Sequence, residues 1–184
     1  ILAGAVFFGG VARLASVTEK IVPFMAAIYI IGGSYVIACH AGELGNAFRL
    51  IFVAAFDPQA VMGGALGLTV AKAMQFGVAR GLFSNEAGMG STPHAHAVAK
   101  VEHPAEQGLV AIFGVFATLI VVTFTGIVIL VTGVLDFQST GIALTQKAYN
   151  VGLGSFGVSF VAICLFFFAY STIIGWYFFA EQNV

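Results

Sequence analysis

Between Gln107 and Leu135 there is no charged side chain, and Val, Ile, Phe and Leu dominate the stretch. About 20 mostly apolar residues are enough to cross the hydrocarbon core of a bilayer as a helix. In hydrocarbon every backbone polar group needs an internal partner, which a helix supplies and an open strand does not. Two other runs are uncharged and as apolar: Ile21–Gly42 and Ala148–Ala180, the latter with its apolar core from Phe156 to Phe179. The spacing predicts membrane helices over about 21–39, 108–133 and 156–179, with Ile1–Ala12 as the end of one more. Pro23 fits a first helical turn, where its missing N–H costs nothing.

Composition agrees. Of 184 residues, 60% are hydrophobic and 8% charged, with a mean hydropathy of +1.02. Soluble domains carry about 25% charged residues. Seven Lys and Arg against eight Asp and Glu cannot solvate a surface of this size. A disordered chain, a nucleic-acid binder and an ordinary water-soluble domain are excluded; the partner for most of the surface is lipid. Cys39 and Cys164 have no metal spacing and read as small packed hydrophobes. The chain opens inside an apolar run and without Met, so it reads as an internal piece of a longer membrane protein.

The connections are polar. Val11–Lys20 carries Arg13, Glu19 and Lys20; the stretch 43–64 carries Glu43, Arg49, Asp57 and Pro58, with room for a short interfacial helix over Asn46–Phe56. Lys100–Gln107 includes Pro104, and the Gly-rich stretch 136–154 has room for a short helix near Ile142–Val151. Alternation puts Arg13, Lys20 and Lys100 on one side of the membrane and Arg49 and Lys147 on the other. The larger positive count marks the first side as cytoplasmic.

One segment breaks the pattern. Residues 65–99 are moderately apolar but contain Lys72, Arg80 and Glu86, and in their middle run Arg80-Gly-Leu-Phe-Ser-Asn-Glu-Ala-Gly-Met-Gly-Ser-Thr-Pro93. Gly81, Gly88, Gly90 and Pro93 are poor helix-interior residues. Ser84 and Asn85 compete with the helix for backbone hydrogen bonds. The expectation is two half-helices, about 66–83 and 91–100, joined by unwound backbone. Irregular backbone at membrane depth survives only where it is buried in protein or lines a cavity, and such breaks form substrate and ion sites in secondary transporters.

Glu86 is the sharpest residue of the segment, because an ionisable group at bilayer depth needs a partner or a role. It either hydrogen-bonds the unwound backbone and stabilises the break, or faces the cavity and holds a cation or a proton. Arg80 is its candidate partner. His94 and His96 project about 200° apart on a helix, a poor metal pattern, and read as interfacial. Thr118, Thr123 and Thr125 can join helix to helix or offer oxygen to Na⁺. In the last helix Ser171 and Thr172 are adjacent hydroxyls, and Trp176 lies one turn beyond Thr172 on the same face. Oxygens above an aromatic wall suit Na⁺ and a small apolar group; ordinary packing, with Trp176 and Tyr177 in an interfacial belt, is the alternative.

The stretch Gly81-Leu-Phe-Ser-Asn-Glu-Ala-Gly-Met-Gly-Ser-Thr-Pro93, preceded by Gly77-Val-Ala-Arg80, closely resembles the signature of the sodium:alanine symporter family, whose members are also called alanine or glycine:cation symporters. Ile21-Val-Pro-Phe-Met-Ala26, Gln107–Phe116 and Phe168–Glu181 are similar to it as well. The resemblance implies an all-α membrane protein: part of a leucine-transporter-like bundle of the amino acid–polyamine–organocation superfamily, with one transmembrane helix unwound. It implies a single transmembrane domain across 1–184, from the end of the fourth helix through the eighth. On this resemblance Phe83, Ser84, Asn85, Gly88, Met89 and Gly90 look like the sixth-helix wall of a substrate site. Ser171 and Thr172 look like Na⁺ oxygens and Trp176 like a lid on the side-chain pocket; Glu86 and Arg80 are expected to be structural or coupling residues from their place in the broken segment. Many members carry Asp-Thr in the seventh helix where this chain has Ala117-Thr118, which leaves the ion role of that helix open.

The function implied is Na⁺-coupled symport of alanine or glycine by alternating access in the plasma membrane, with Na⁺ as coupling ion, no cofactor and no covalent chemistry. Two other classes are weighed against it. An intramembrane hydrolase would use Ser84 or Ser91 with His94 or His96 as base, but no Gly-x-Ser-x-Gly elbow occurs. An ion channel would use the Gly-rich stretch as a filter, which the long flanking half-helices disfavour.

Overall fold

The computed structural model describes residues 4, 7, 10–56, 70–86, 88–136 and 138–181. Among them the protein is helical throughout, without a strand. The helices are α1 (Gly10–Cys39), α2 (Leu44–Phe56), α3 (Val70–Ser84), α4 (Ser91–Ala97), α5 (Pro104–Val131), α6 (Ile142–Leu153) and α7 (Phe156–Glu181), with a 3₁₀ turn at Ala41–Glu43. Three spans, Arg13–Cys39, Pro104–Val131 and Phe156–Glu181, are long and apolar enough to cross a membrane. Large apolar side chains such as Phe113, 79% exposed, cover the outside of α5, as lipid-facing helices require. The expected helix end within 1–10 and residues 66–69 of the expected half-helix fall largely or wholly outside the described residues.

The expected boundaries differ most at the starts of α1 and α5. Residues 11–20, expected as a connection, are the first turns of α1. Leu14 and Val17 stand three apart on one face and pack with Phe7 against Tyr170, Ile174 and Tyr177 of α7, while Arg13, Glu19 and Lys20 remain exposed. The charges thus mark the outer face of an amphipathic turn. Pro23 consequently lies inside the helix rather than in its first turn. Helix α5 begins at Pro104, four residues before the expected 108. Pro104 occupies the first helical position, and His103 Nδ1 accepts the Ala105 N–H at 3.1 Å as a side-chain cap.

The chain forms two compact units, Ile1–Ala41 with Phe124–Val184, and Gly42–Thr123. In the first, α1, α6 and α7 pack on one another. Glycines set their separation. A Cβ on Gly33 would lie 2.3 Å from the Phe124 ring and 2.7 Å from the Tyr149 hydroxyl; one on Gly157 would lie 2.3 Å from the Tyr149 carbonyl oxygen. Backbones meet at such small residues in membrane bundles because dispersion, not hydrophobic exclusion, holds the helices together. Tyr149 is fully buried, between Tyr29 and Phe160, and its hydroxyl has no hydrogen-bond partner among the described residues. Tyr29 instead pairs its hydroxyl with Thr125 Oγ1 at 2.7 Å.

Between α5 and α6, Asp136 closes a turn. Its carboxylate accepts the amides of Gln138 and Ser139 and the Ser139 hydroxyl and pairs with Lys147 of α6. The Lys147 ammonium, then the Ser139 hydrogen bonds, hold the Asp136 carboxyl well below the usual carboxylate range.

Candidate functional site

The second unit contains the interruption. Helix α3 ends at Ser84 and α4 restarts at Ser91. Asn85 closes the end of α3, its amide and its side-chain Nδ2 both donating to the Gly81 carbonyl, at 3.2 and 3.0 Å. The chain then makes two tight turns, Glu86 N–H to Phe83 O at 3.1 Å and Met89 N–H to Glu86 O at 3.2 Å. Glu86, Gly88 and Gly90 have φ of +52°, +81° and +82°. This left-handed backbone is open to glycine and costly for other residues. Ala87 lies outside the described residues.

Glu86 holds the restart. Ser91 Oγ donates to Glu86 Oε2 at 2.6 Å and Thr92 Oγ1 to the same oxygen at 2.8 Å. Gly90 at the cap position has no side chain to offer, so the carboxylate five residues upstream anchors the first turn through its hydroxyls. The partners are therefore side-chain hydroxyls rather than unwound amides. Ser91 is 6% exposed, so its hydroxyl is buried with the carboxylate as partner. Its hydroxyl proton goes to a carboxylate rather than to an imidazole, which leaves no Ser91–His pair of the hydrolase kind. Arg80 forms no ion pair with Glu86; the ion pair among the described residues is Lys147–Asp136.

Beside the interruption is a cavity of about 450 Å³. Ser84, Asn85, Glu86, Thr92 and His96 form one wall, and Val110, Ala111, Gly114, Val115 and Thr118 of α5 form the other. The α5 residues recur at the spacing of a single helix face. The structure therefore brings Ser84, Asn85 and Glu86 together with Thr118. Phe83, Met89, Gly88 and Gly90 are exposed and do not line this cavity; Phe83 is 71% exposed. Thr92 and His96 are lining residues that the sequence reading did not assign to the site. Their positions one and five residues beyond Ser91 place them on the same side of α4, a signal available only once the helix start is known. His96 Nδ1 is hydrogen-bonded to Gln107 Oε1 at 2.7 Å. His96 and Gln107 also line a second cavity of about 570 Å³, otherwise walled by Pro93, Ala97, Ala99, Val101, Pro104, Gly108 and Ala111.

The remaining predicted site residues belong to the first unit. Ser171 Oγ and Thr172 Oγ1 both donate to the Phe168 carbonyl, at 2.9 and 2.8 Å, and Ser171 Oγ also lies 3.6 Å from Met25 Sδ. With its proton so committed, each hydroxyl oxygen keeps lone pairs for a cation. Trp176 stacks edge-on against Phe179 with ring centroids 5.8 Å apart.

Apolar spanning helices together with an interrupted helix whose restart is tied to a carboxylate define an integral membrane protein. Comparison with known proteins gives its family. The model of the sodium:alanine symporter family matches residues 1–184, and the chain belongs to that family, one of transporters rather than enzymes. It is 45% identical over 99% of its length to an uncharacterized transporter of Haemophilus influenzae, covering 41% of that protein. It is 41% identical, over 99% of its length and 40% of the relative, to the sodium/alanine symporter AgcS of Methanococcus maripaludis. To the probable sodium/glutamine symporter GlnT of Bacillus subtilis it is 40% identical, over 98% of its length and 37% of the relative. The chain thus spans about two-fifths of the length of the curated relatives it matches. No solved structure matches it.

Proposed function

We propose that the protein is a secondary active transporter of the plasma membrane that couples Na⁺ to the uptake of a small neutral amino acid, alanine or glycine. In this reading the chain is part of a leucine-transporter-like bundle and works by alternating access. The observation that carries it is the interruption at Asn85–Gly90, where hydroxyls, an amide and a carboxylate meet in a cavity beside unwound backbone. Such a break supplies what a zwitterion and a cation need without a dedicated metal cage. The relatives named for sodium/alanine and sodium/glutamine symport support the ion and the substrate class.

Ser84 and Asn85 form the substrate wall within this cavity, Phe83, Gly88, Met89 and Gly90 extend it along the exposed side of the interruption, and Ser171 and Thr172 supply oxygens to Na⁺. Trp176 contributes to selection of the side chain, and Arg80 and Glu86 serve structure and coupling. Na⁺ orders the interruption and raises amino-acid affinity, and by linkage the amino acid raises Na⁺ affinity by the same factor. The test is uptake of labelled alanine into liposomes containing the full-length protein under an imposed Na⁺ gradient, with glycine and glutamine as competitors. Saturable uptake that collapses when Na⁺ is replaced by choline is expected. Uptake indifferent to Na⁺, or a conductance without saturation, overturns the reading.

A further inference from the structure

Tyr149 of α6 is fully buried, and its hydroxyl makes no hydrogen bond among the described residues. Packing accounts for its ring: Phe160 stacks on it with centroids 5.4 Å apart, and Tyr29 tilts against it at 5.7 Å. A phenylalanine would serve that packing equally, so the hydroxyl needs a reason of its own. A buried hydroxyl that gives up water without a replacement partner is unfavourable. Burial first, and then the neighbouring Tyr29 phenol, raise the Tyr149 phenol above its ordinary 10. It therefore keeps its proton and needs an acceptor.

The surroundings narrow the choice of acceptor. Tyr29 and Gly33 stand four apart on one face of α1. A Cβ on Gly33 would lie 2.7 Å from the Tyr149 hydroxyl, so glycine keeps that approach free of a side chain. Tyr29 pairs its own hydroxyl with Thr125 Oγ1 of α5 at 2.7 Å, and the two oxygens of that pair retain lone pairs. A segment beyond these residues does not supply the acceptor, because Tyr149 is already 0% exposed without one. A cation is disfavoured, because the hydroxyls of Tyr29, Thr125 and Tyr149 are neutral and nothing among them offsets its dehydration. Water fits: it accepts from Tyr149 and gives its two hydrogens to the Tyr29 and Thr125 oxygens. About three hydrogen bonds are usual for a buried water. We propose that an internal water molecule is bound between Tyr149 and the Tyr29–Thr125 pair and joins α6 to α1 and α5. The site is independent of what the transporter carries.

The test uses the purified full-length protein in detergent. Tyr149→Phe removes the hydroxyl and keeps the ring. An orphaned hydroxyl would be relieved by this change, so the midpoint of thermal unfolding would hold or rise. A water-bridged hydroxyl should instead lower the midpoint, by roughly 2 °C or more. Thr125→Val removes another anchor of the water, and the double variant should lose less than the sum of the two single losses. Hydroxyl-radical footprinting by X-rays supplies the second readout, because radicals formed at an enclosed water modify the side chain beside it. Tyr149 should be modified in the wild type despite its burial, and its modification should fall severalfold in Thr125→Val. That labelling separates a water from Tyr29 itself as the bridge. A midpoint unchanged or raised in Tyr149→Phe overturns the proposal. So do additive losses in the double variant, and Tyr149 modification that is absent in the wild type or unchanged in Thr125→Val.

Discussion

Glu86 takes a backbone conformation that costs a non-glycine residue on the order of 1 kcal/mol, and its carboxylate offsets that cost by holding Ser91 and Thr92. Gly88 and Gly90 share the conformation without side chains. A Cβ at either would meet nothing within 4 Å, so substitution there acts through the backbone and not through a clash. Gly90→Ala should cost roughly 1–2 kcal/mol of local stability and slow uptake, while membrane insertion is unaffected. Hydrogen exchange of the 84–97 peptide would detect the loosening; unchanged protection with unchanged uptake would count against the strained-turn account. Thr172 is a different case, because its hydroxyl caps a carbonyl of its own helix. Thr172→Ala should raise the half-saturating Na⁺ for uptake, with the maximal rate partly recovered at high Na⁺, because it removes one hard oxygen. Substrate competition profiles run beside the Na⁺ titration check that selectivity does not change instead.

Helices α6 and α7 touch through Gly157, where the added methyl of Gly157→Ala would meet the Tyr149 carbonyl at 2.3 Å. Backbone cannot give way as a flexible side chain can, so this variant should lose about 1–3 kcal/mol. A fall in the midpoint of thermal unfolding in detergent checks it, with Gly175→Ala, which has open space, as the comparison. The α5–α6 turn makes a prediction in pH. Asp136 has its folded pKa depressed below the ordinary 3.8. Its contribution is therefore fully present above that value and is lost as pH falls toward and through the lower folded value. Exchange protection of the 132–147 peptide should hold from pH 8 to pH 4 and decline below it. In Asp136→Asn the turn should be less protected at neutral pH and show no such decline.

Among the described residues many large apolar side chains are exposed, and Ile120 near the middle of α5 is 63% exposed. If that face meets hydrocarbon, an aspartate there costs about 2.5–3.5 kcal/mol on insertion. Ile120→Asp should then lower the inserted fraction in a translocon assay, whereas Ile120→Leu should not. Equal insertion of the two would place that face against protein or water.

Reading the chain without coordinates went furthest where the physics is local. Long apolar runs free of charge favour helices, because a bilayer offers no partner to an open backbone; the expected 21–39 and 156–179 lie within α1 and α7, while the expected 108–133 runs two residues past the end of α5 at Val131. The clustering of Gly81, Gly88, Gly90, Ser84 and Asn85 likewise marks where helix α3 stops, because those residues weaken a helix through their own backbones. Non-local partners were not readable in this way. Arg13, Glu19 and Lys20 looked like a loop until Leu14 and Val17 were seen to bury against α7. Six residues of separation suggested Arg80 as the partner of Glu86, yet the left-handed turns direct the carboxylate to Ser91 and Thr92. His96 and Thr118 were separate motifs in the sequence, and only the packing of α4 beside α5 puts them in the cavity that holds Glu86. Helix propensity and burial preference are carried by each residue and its near neighbours. The partner of a charge depends on how backbone turns and helix faces combine in three dimensions, and the tertiary structure decided it.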